Sequence, residues 1–520
     1  MAPRILAAAA ALALTAATAA ALANDLPPPA QTAGVAIPEG QIGKAVEALD
    51  GIIEKSMKEH GVPGLAVAVV RKDEVLFARG YGVRKAGEEA VVDTDTAFQL
   101  ASLSKPVGAT VVAQQVSQGT VGWDTPMTDI LPWFKLSNPQ STALLTIGDL
   151  YAHRSGLPDH AGDDLEDLGY PQKVILEQLR YLKLGAFRLQ YAYTNFGLTA
   201  AAEAVASVAG KDWATLSEDA IYRPLGMNST SSRLSDFLAR DNRAFGHMRN
   251  GNHWEVLYQR DPDAQSPAGG VSASVNDMAT WLRMVLGNGE YDGRRIVDAA
   301  ALMPALSPQS VSGRPETPAA RASFYGYGFG VGVSPAGRVM ISHSGAFALG
   351  AATNFIMIPS ADIGIVVLTN AQPIGLAEGI SMSFMDLVQY GEIQRDWLAM
   401  YPVAFAPMLA PFGEYAGKEA PADAKPARTL ASYTGTFAND YFGNLVVEEA
   451  DGGLVMKVEG TSSSFPLQHW SGDEFVFYPL NENAMSGSIS SVQFSVDGAL
   501  AKDVRVEYFD QLKDGTFVRK

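Results

Sequence analysis

Pro106 constrains how the chain around it folds, and with it the position of two reactive side chains. Proline is tolerated in a helix only within the first turn, where its missing N–H would have had no partner. Apolar residues then recur at helical spacing from Val107 to Val116, and Gly119 follows as a stop signal. The sequence therefore predicts a turn at Ser102 and a helix start that presents Ser102 and Lys105 on one side.

Ser102 and Lys105 together have the layout of an activated nucleophile. The partial positive charge of a helix N-terminus favours negative charge on the serine oxygen and opposes protonation of the amine. An amine beside a serine is also a common means of activating the hydroxyl. This is the single Ser-x-x-Lys pair in the chain, yet about one such pair is expected by chance at ordinary composition. The pair therefore needs partners elsewhere in the sequence before it indicates catalysis.

Composition excludes several classes of function. The formal net charge of −17 argues against a nucleic-acid partner, because phosphate binding requires concentrated lysine and arginine. The absence of cysteine excludes disulfides, thiol nucleophiles and cysteine-ligated zinc. The aspartates and glutamates form no cluster with histidine at ligand spacing, so we expect neither a metal nor a cofactor.

The N-terminus is predicted to be an export signal. Residues 1–23 join a basic start to an apolar alanine- and leucine-rich run that ends in a small-x-small cleavage pattern near Ala23. A transmembrane anchor is the weaker alternative, since alanine is a poor membrane residue. Residues 24–40 have the composition of an extended leader. We therefore expect an exported protein, periplasmic or extracellular, with no membrane span in the mature chain.

The rest of the chain divides into a mixed domain and a strand-rich domain. Helical and strand-like patterns alternate over residues 41–400, which is typical of an α/β or α+β domain. Residues 401–428 are rich in proline and alanine and are predicted to be a linker. Residues 429–520 predict an antiparallel β-barrel. Its expected strands are Tyr433–Phe437, Leu445–Glu449, Leu454–Val458, Phe475–Tyr478, Val492–Val496 and Val504–Phe509.

Two further short patterns follow the serine in the mixed domain. Tyr193-Thr-Asn195 is the single Tyr-x-Asn in the chain, and its outer side chains project to one side of an extended segment. A strand-like run then leads into His343-Ser-Gly345. His153 is either a catalytic residue or a helix-end residue that bonds loop carbonyls.

The order of these patterns resembles the serine β-lactamase/penicillin-binding-protein superfamily. The resemblance is to its class C-like branch of esterases, D-aminopeptidases and S12-type peptidases, and it covers roughly residues 41–400. The framing segments Ala101–Lys105, His153–Pro158, Pro224–Met227 and Pro267–Gly270 also match. It implies an antiparallel sheet flanked by helices, and the strand-rich end is similar to the lipocalin-like domain of some S12-type peptidases.

The resemblance also implies roles for the three central residues. Ser102 would attack a carbonyl and form an acyl-enzyme. Lys105 would lower the cost of deprotonating Ser102. Tyr193 would be the companion base and then the acid for the leaving group, for which its pKa must fall well below the usual value near 10.

The remaining implied roles concern substrate binding. Asn195 would orient Lys105 and the substrate amide. The strand carrying His343 and Gly345 would bind the substrate edge-on. The backbone N–H groups of Ser102 and Ala346 would form the oxyanion hole, which is usually the largest catalytic contribution.

One position departs from the pattern of penicillin-directed members, which carry Lys-Thr-Gly where this chain has His343-Ser-Gly345. A histidine is mostly neutral at pH 7, so a fixed positive charge for a substrate carboxylate is missing. This argues against β-lactamase and D,D-carboxypeptidase activity.

The sequence thus predicts a secreted serine hydrolase that acts on a small-molecule or peptide substrate, with peptidase or amidase activity favoured. A carboxylesterase or acyltransferase of the same fold is the alternative among enzymes. A non-catalytic sensor that accepts an acyl group is the alternative from another class. Assembly into a homo-oligomer is left open.

Overall fold

The computed structural model describes residues 35–251 and 253–520. The predicted signal peptide and most of the predicted leader lie outside these residues. Within the described part of the chain, no helix combines the length and the apolar character needed to cross a membrane.

An eight-stranded antiparallel sheet forms the centre of the first domain. From one edge to the other its strands are Glu74–Gly82, Gly64–Arg71, Ile363–Thr369, Ala351–Ile358, Val339–Phe347, Gly330–Val333, Ser323–Tyr325 and Ser310–Gly313. Short two-stranded pairs lie outside it: Phe98–Gln99 with Ser272–Ala273, Met248–Asn250 with His253–Glu255, and Glu290–Tyr291 with Arg294–Arg295.

The central strands are almost continuously apolar because both faces of the sheet are covered. In the strand Gly64–Arg71, Leu65 and Val67 pack into one core, while Ala66 and Ala68 pack into the other. The first core is closed by the helices Gln41–His60 and Leu376–Tyr390, whose apolar residues join it. The second core includes residues from most of the remaining helices of the domain, and two of these helices carry Lys105 and Asn195.

The remaining helices of the domain vary in length. The longer ones are Ser104–Ser117, Asn195–Ala209 and Val275–Leu286. The short ones are Met127–Ile130, Pro139–Leu144, Ile147–Tyr151, Asp163–Asp167, Gln172–Gln178, Trp213–Ser217, Arg223–Leu225, Leu234–Leu238, Ser266–Gly269 and Ala299–Leu302. A last helix, Trp397–Phe405, follows the first domain.

The C-terminal part is a closed antiparallel barrel of eight strands. They are Gly435–Asn439, Gly443–Ala450, Gly453–Val458, Ser464–Ser471, Glu474–Phe477, Ser490–Asp497, Leu500–Val506 and Thr516–Arg519. Aromatic side chains such as Phe437, Phe475 and Phe494 are buried inside it. The predicted sheet flanked by helices and the predicted barrel are therefore both confirmed.

Several element boundaries differ from those predicted. The barrel strand Ser464–Ser471 was missed because Pro466 and its polar neighbours weaken the strand pattern. The strand Thr516–Arg519 was missed because it is short. The helix Leu376–Tyr390 ends at Gly391, a left-handed C-cap, and the next helix runs past residue 400 into the predicted linker as far as Phe405.

The barrel packs beside the short helix Asp163–Asp167. Tyr441 Oη donates a hydrogen bond to Asp164 at 2.7 Å, and Tyr508 Oη donates one to Asp167 at 2.7 Å. The backbone N–H of Gly162, which precedes the helix, donates to Tyr441 Oη at 3.1 Å. These contacts bring one end of the barrel to the candidate site.

Candidate active site

A cleft of about 930 Å³ contains Ser102 and is lined by both parts of the molecule. The first domain contributes Tyr193, Asn195 and the strand around His343. The barrel contributes five lining residues: Glu482, Asn483, Tyr508, Gln511 and Leu512. The predicted site residues are thus brought together, and the barrel forms one wall of the same cleft.

Ser102 lies in a single 3₁₀ turn, Ala101–Leu103, that leads directly into the helix Ser104–Ser117. Ala101 has a φ of 49°, a left-handed conformation that is strained for a residue with a side chain. The buried Ser104 hydroxyl donates to the Ala101 carbonyl at 2.7 Å. This turn aims the half-buried Ser102 side chain into the cleft, as the position of Pro106 had predicted.

Lys105 is fully buried and points at the serine. Its Nζ lies 3.1 Å from Ser102 Oγ, 2.7 Å from Asn195 Oδ1 and 3.0 Å from the Ala268 carbonyl oxygen. A neutral amine has two protons and one lone pair. The two carbonyl-type oxygens accept the two protons, so the lone pair is left facing Ser102.

The environment of Lys105 favours that neutral form. Burial lowers the pKa of Lys105 to about 7, against the opposing charges of Asp163 and Glu166. At neutral pH about half of the molecules would then carry an amine that is able to accept the Ser102 proton.

Tyr193 lies on the other side of the nucleophile. Its Oη donates to Ser102 Oγ at 2.8 Å, and its ring lies 4.5 Å from Lys105 Nζ. The expectation that the Tyr193 pKa falls is wrong for this structure, because burial raises it above the usual value. Tyr193 is therefore a proton donor in the resting site, and Lys105 is the group with a pKa suited to a base.

The segment that carries Tyr193 is held by the framing segment His153–Pro158 and its neighbour Asp159. The Tyr193 N–H donates to Asp159 Oδ1 at 2.6 Å, and the Thr194 N–H donates to His153 Nδ1 at 3.2 Å. The predicted bond from His153 to loop carbonyls is thus replaced by a bond from a backbone amide. The His153 ring lies 4.6 Å from the Tyr193 ring, and burial keeps its pKa well below the usual value. His153 is a neutral packing partner of Tyr193.

The strand Val339–Phe347 passes directly beside Ser102. A Cβ at Gly345 would lie 3.1 Å from the Ser102 backbone nitrogen and would collide with the Leu100 carbonyl and with Thr353. Thr353 Oγ1 donates to that Leu100 carbonyl at 2.7 Å, which ties the sheet to the turn. Glycine is needed at position 345 because the strand and the turn approach so closely.

His343 is neutral and paired with a tyrosine. Its Nδ1 donates to the Ser344 carbonyl at 2.7 Å, so Nε2 is the acceptor for Tyr325 Oη at 2.7 Å. Burial and the nearby Lys105 lower the pKa of His343 to about 3. At neutral pH this position therefore supplies no positive charge for a substrate carboxylate.

Carboxylates dominate another part of the cleft. Asp163 Oδ2 accepts from Asn195 Nδ2 at 2.9 Å, which fixes the amide so that its oxygen faces Lys105. Asp163 Oδ2 also lies 2.8 Å from His160 Nδ1. Arg260 is a cation of the cleft lining, and it is paired with Glu166 at 2.6 Å and lies 3.8 Å from Glu482.

Glu482 connects the barrel to the strand Val339–Phe347 and the hairpin that follows it. Its carboxylate accepts the backbone N–H of Ala348 at 2.6 Å, in the hairpin that follows Ala346. Sequence reasoning missed Glu482, Asp163 and Tyr325, because no local pattern marks a residue whose role depends on a distant partner. The Ala268 carbonyl lies in the recognised Pro267–Gly270 segment, but nothing in the sequence assigned it a contact.

No group of three or more histidine, aspartate or glutamate side chains able to hold a metal ion occurs among residues 35–251 and 253–520. The acidic side chains near Lys105 are instead engaged with Asn195, Arg260 and the barrel tyrosines. The arrangement is suited to acyl transfer by a serine, an amine and a phenol.

Comparison with known proteins identifies two family matches. The family described as Beta-lactamase matches residues 49–379. The family described as a domain of unknown function, DUF3471, matches residues 419–511. The first match covers the sheet domain with Ser102, and the second covers most of the barrel.

Individual proteins are similar over much of the chain. Unguisins hydrolase ungD of Aspergillus violaceofuscus is 26% identical over 471 residues, which cover 82% of each chain. Penicillin-binding protein 4 of Amycolatopsis lactamdurans is 29% identical over 375 residues, 68% of this chain and 91% of that protein. The octameric penicillin-binding protein homologue from Pyrococcus abyssi has the same fold, with a TM-score of 0.59, 19% identity and coverage of 91% of this chain and 100% of that one.

Proposed function

The chain belongs to the Beta-lactamase family and is a serine hydrolase, and from this premise we propose that it cleaves an amide or peptide bond through an acyl-enzyme on Ser102. The observation that carries the proposal is the placement of Ser102 Oγ between Lys105 Nζ at 3.1 Å and Tyr193 Oη at 2.8 Å. Acyl transfer from an amide to a hydroxyl, with an amine as the leaving group, requires a base and an acid on either side of that hydroxyl.

In the first half-reaction, Ser102 Oγ attacks the carbonyl carbon while its proton passes to Lys105 Nζ. The oxygen of the tetrahedral intermediate would be bound by the backbone N–H groups of Ser102 and Ala346. Tyr193 Oη gives its proton to the leaving nitrogen as the C–N bond breaks. The acyl-enzyme then contains a lysine cation beside a tyrosinate. A proton passing from Lys105 to Tyr193 gives the neutral pair that their pKa values favour, and the reverse passage restores the ion pair for the second half-reaction.

The second half-reaction runs the same transfers in reverse. A water in the place of the leaving amine attacks the ester carbon and gives its proton to the Tyr193 oxygen. The intermediate collapses, and Ser102 Oγ recovers a proton from Lys105. Tyr193 and Lys105 thereby return to their resting forms. Asn195 holds the Lys105 amine in place throughout.

The cleft disfavours substrates with a carboxylate near the reacting carbonyl. His343 is neutral, and Arg260 is already paired with Glu166. The cleft lining also carries the carboxyl side chains of Asp159, Asp163, Asp164, Glu166 and Glu482. We therefore propose substrates other than penicillins and D-alanyl-D-alanine carboxylates.

The location and domain plan are part of the same proposal. Residues 1–23 would direct export to the periplasm or the medium, residues 41–400 would form the catalytic domain, and residues 429–520 the lipocalin-like barrel. N-terminal sequencing of the protein recovered after expression with its own leader tests the export. An N-terminus that still begins at Met1 would contradict it.

Cleavage rates on p-nitrophenyl esters and on D- and L-amino-acid p-nitroanilides test the substrate assignment. We expect anilide turnover that is lost in Ser102→Ala, together with loss of covalent labelling by a fluorophosphonate. Tyr193→Phe should lower anilide turnover more than ester turnover, because p-nitrophenolate leaves without a proton donor. Turnover of esters alone would make the protein a carboxylesterase or acyltransferase. A stable acyl adduct without turnover would identify an acyl-accepting sensor.

A further inference from the structure

Residues 397–413 contain no charged side chain, yet they lie on the surface. They include the helix Trp397–Phe405 and the 3₁₀ turn Ala406–Leu409, and no residue of either element is buried. Met400, Val403 and Met408 are 46%, 75% and 52% exposed. Contiguous exposed apolar surface of this kind is typical of a binding site.

The exposure is not a result of loose attachment, because both ends of this segment are anchored. At its start, Trp397 Nε1 donates to Asp386 Oδ2 at 2.6 Å. Towards its end, Leu409 packs against a buried cluster formed by Met248, Ala348 and Met485 of the barrel. The outward side chains are therefore presented from a fixed platform.

Two of these side chains, Phe405 and Met408, line the same cleft as Ser102. Leu512 of the barrel lines it as well. Because Leu409 packs against the cluster that contains Ala348, two residues beyond Ala346, the turn that holds Met408 lies near the end of the strand Val339–Phe347. We call Phe405, Met408 and Leu512 the apolar wall.

We propose that the apolar wall binds an apolar substituent of the substrate, either a hydrophobic amino-acid side chain or a straight acyl chain. The inference rests on the proposed acyl-enzyme and adds the chemical class that the site selects. Continuity between the wall and the cleft of Ser102 makes the substrate its occupant. The carboxyl groups elsewhere in the cleft disfavour an anionic substituent, so a neutral apolar group fits best.

Two series of substrates test the wall and separate the two sources of apolar group. The first is p-nitrophenyl acetate, butyrate and octanoate, and the second is alanine against leucine p-nitroanilide. Each methylene that reaches the wall should raise kcat/KM about fourfold. Phe405→Ala and Met408→Ser should lower the octanoate-to-acetate or the leucine-to-alanine ratio about tenfold. Val403→Ser is the matched control, since this residue is apolar and exposed on the same helix but does not line the cleft.

The octanoate-to-acetate and leucine-to-alanine ratios do not depend on whether Ser102 is the nucleophile, so the two proposals can fail separately. Acetate turnover that survives in Ser102→Ala would refute the proposed function, whatever the ratios are. The proposal that the apolar wall binds the substituent would be overturned if both wall variants kept the wild-type substrate ratios. An equal fall of the ratios in Val403→Ser would overturn it as well. Sedimentation velocity is run on each variant. A change of assembly state with unchanged ratios would mean that a second copy covers the wall, which also overturns the proposal. Because Met408 is half-exposed, Met408→Ser should fold even if Phe405→Ala does not.

Discussion

Lys105 should set the pH at which acylation begins. With a pKa of about 7, its amine is neutral in about a tenth of molecules at pH 6, about half at pH 7 and about nine tenths at pH 8. The rate constant for labelling by a fluorophosphonate should therefore rise about tenfold from pH 6 to pH 8 and then level off. With the ordinary lysine pKa the same rate would rise about a hundredfold over this range and continue to rise at pH 9.

Asp163→Asn sharpens this test. The negative charge of Asp163 raises the pKa of Lys105, so its removal should move the rising limb of the profile to lower pH. Asp497→Asn, in an exposed hairpin of the barrel, is the control and should leave the limb in place. Labelling that climbs without a plateau to pH 9, or a limb that moves to higher pH in Asp163→Asn, would refute the role of Lys105 as the base.

Three further substitutions are informative. Gly345→Ala should reduce labelling and turnover at least a hundredfold, because the added Cβ would collide with the Leu100 carbonyl. Gly332→Ala is the control: its Cβ would have no neighbouring atom within 4 Å, so labelling and turnover should be nearly unchanged. Glu482→Ala should lower kcat/KM about tenfold through loss of a charged hydrogen bond to the Ala348 N–H, whereas Glu448→Ala on the exposed barrel surface should not. Glu378 is buried, and burial raises its pKa to about 7, so its contribution to stability is lost as pH rises through 7. In urea unfolding between pH 5 and pH 8, the free energy of unfolding of the wild type should fall by roughly 2–3 kcal/mol more than that of Glu378→Gln. An equal fall in both proteins would show that Glu378 ionises freely in the folded protein.

The local patterns of the sequence were sufficient to predict that Ser102 and Lys105 lie side by side, and the structure places them so. Pro106 limits where the helix starts, so Ser102 and Lys105 could be placed before any tertiary contact was known. Tyr193 and Asn195 followed from a short motif in the right order. The barrel followed from short strand-like runs, which depend mostly on neighbours in sequence, whereas the sheet flanked by helices followed from the family resemblance.

What could not be predicted depends on burial and on distant contacts. The pKa of Tyr193 rises because the folded chain excludes water from it, and a motif gives no measure of that exclusion. Tyr325 acquires its role only when the sheet brings it to His343. Glu482 belongs to another part of the chain altogether, and only the packing of the barrel brings it to the hairpin of Ala348.

The short helix Asp163–Asp167 has a consequence for how this protein responds to mutation. Asp163 holds Asn195 on the catalytic side, and the adjacent Asp164 is held by Tyr441 of the barrel. A chain of hydrogen bonds thus runs from Tyr441 to Asp164, and from the neighbouring Asp163 through Asn195 to Lys105, and a displacement of Tyr441 would be expected to reach the amine along it. Variation in the barrel would tune the reaction rate without altering any group that touches the substrate, and barrel and catalytic residues would have to be inherited together.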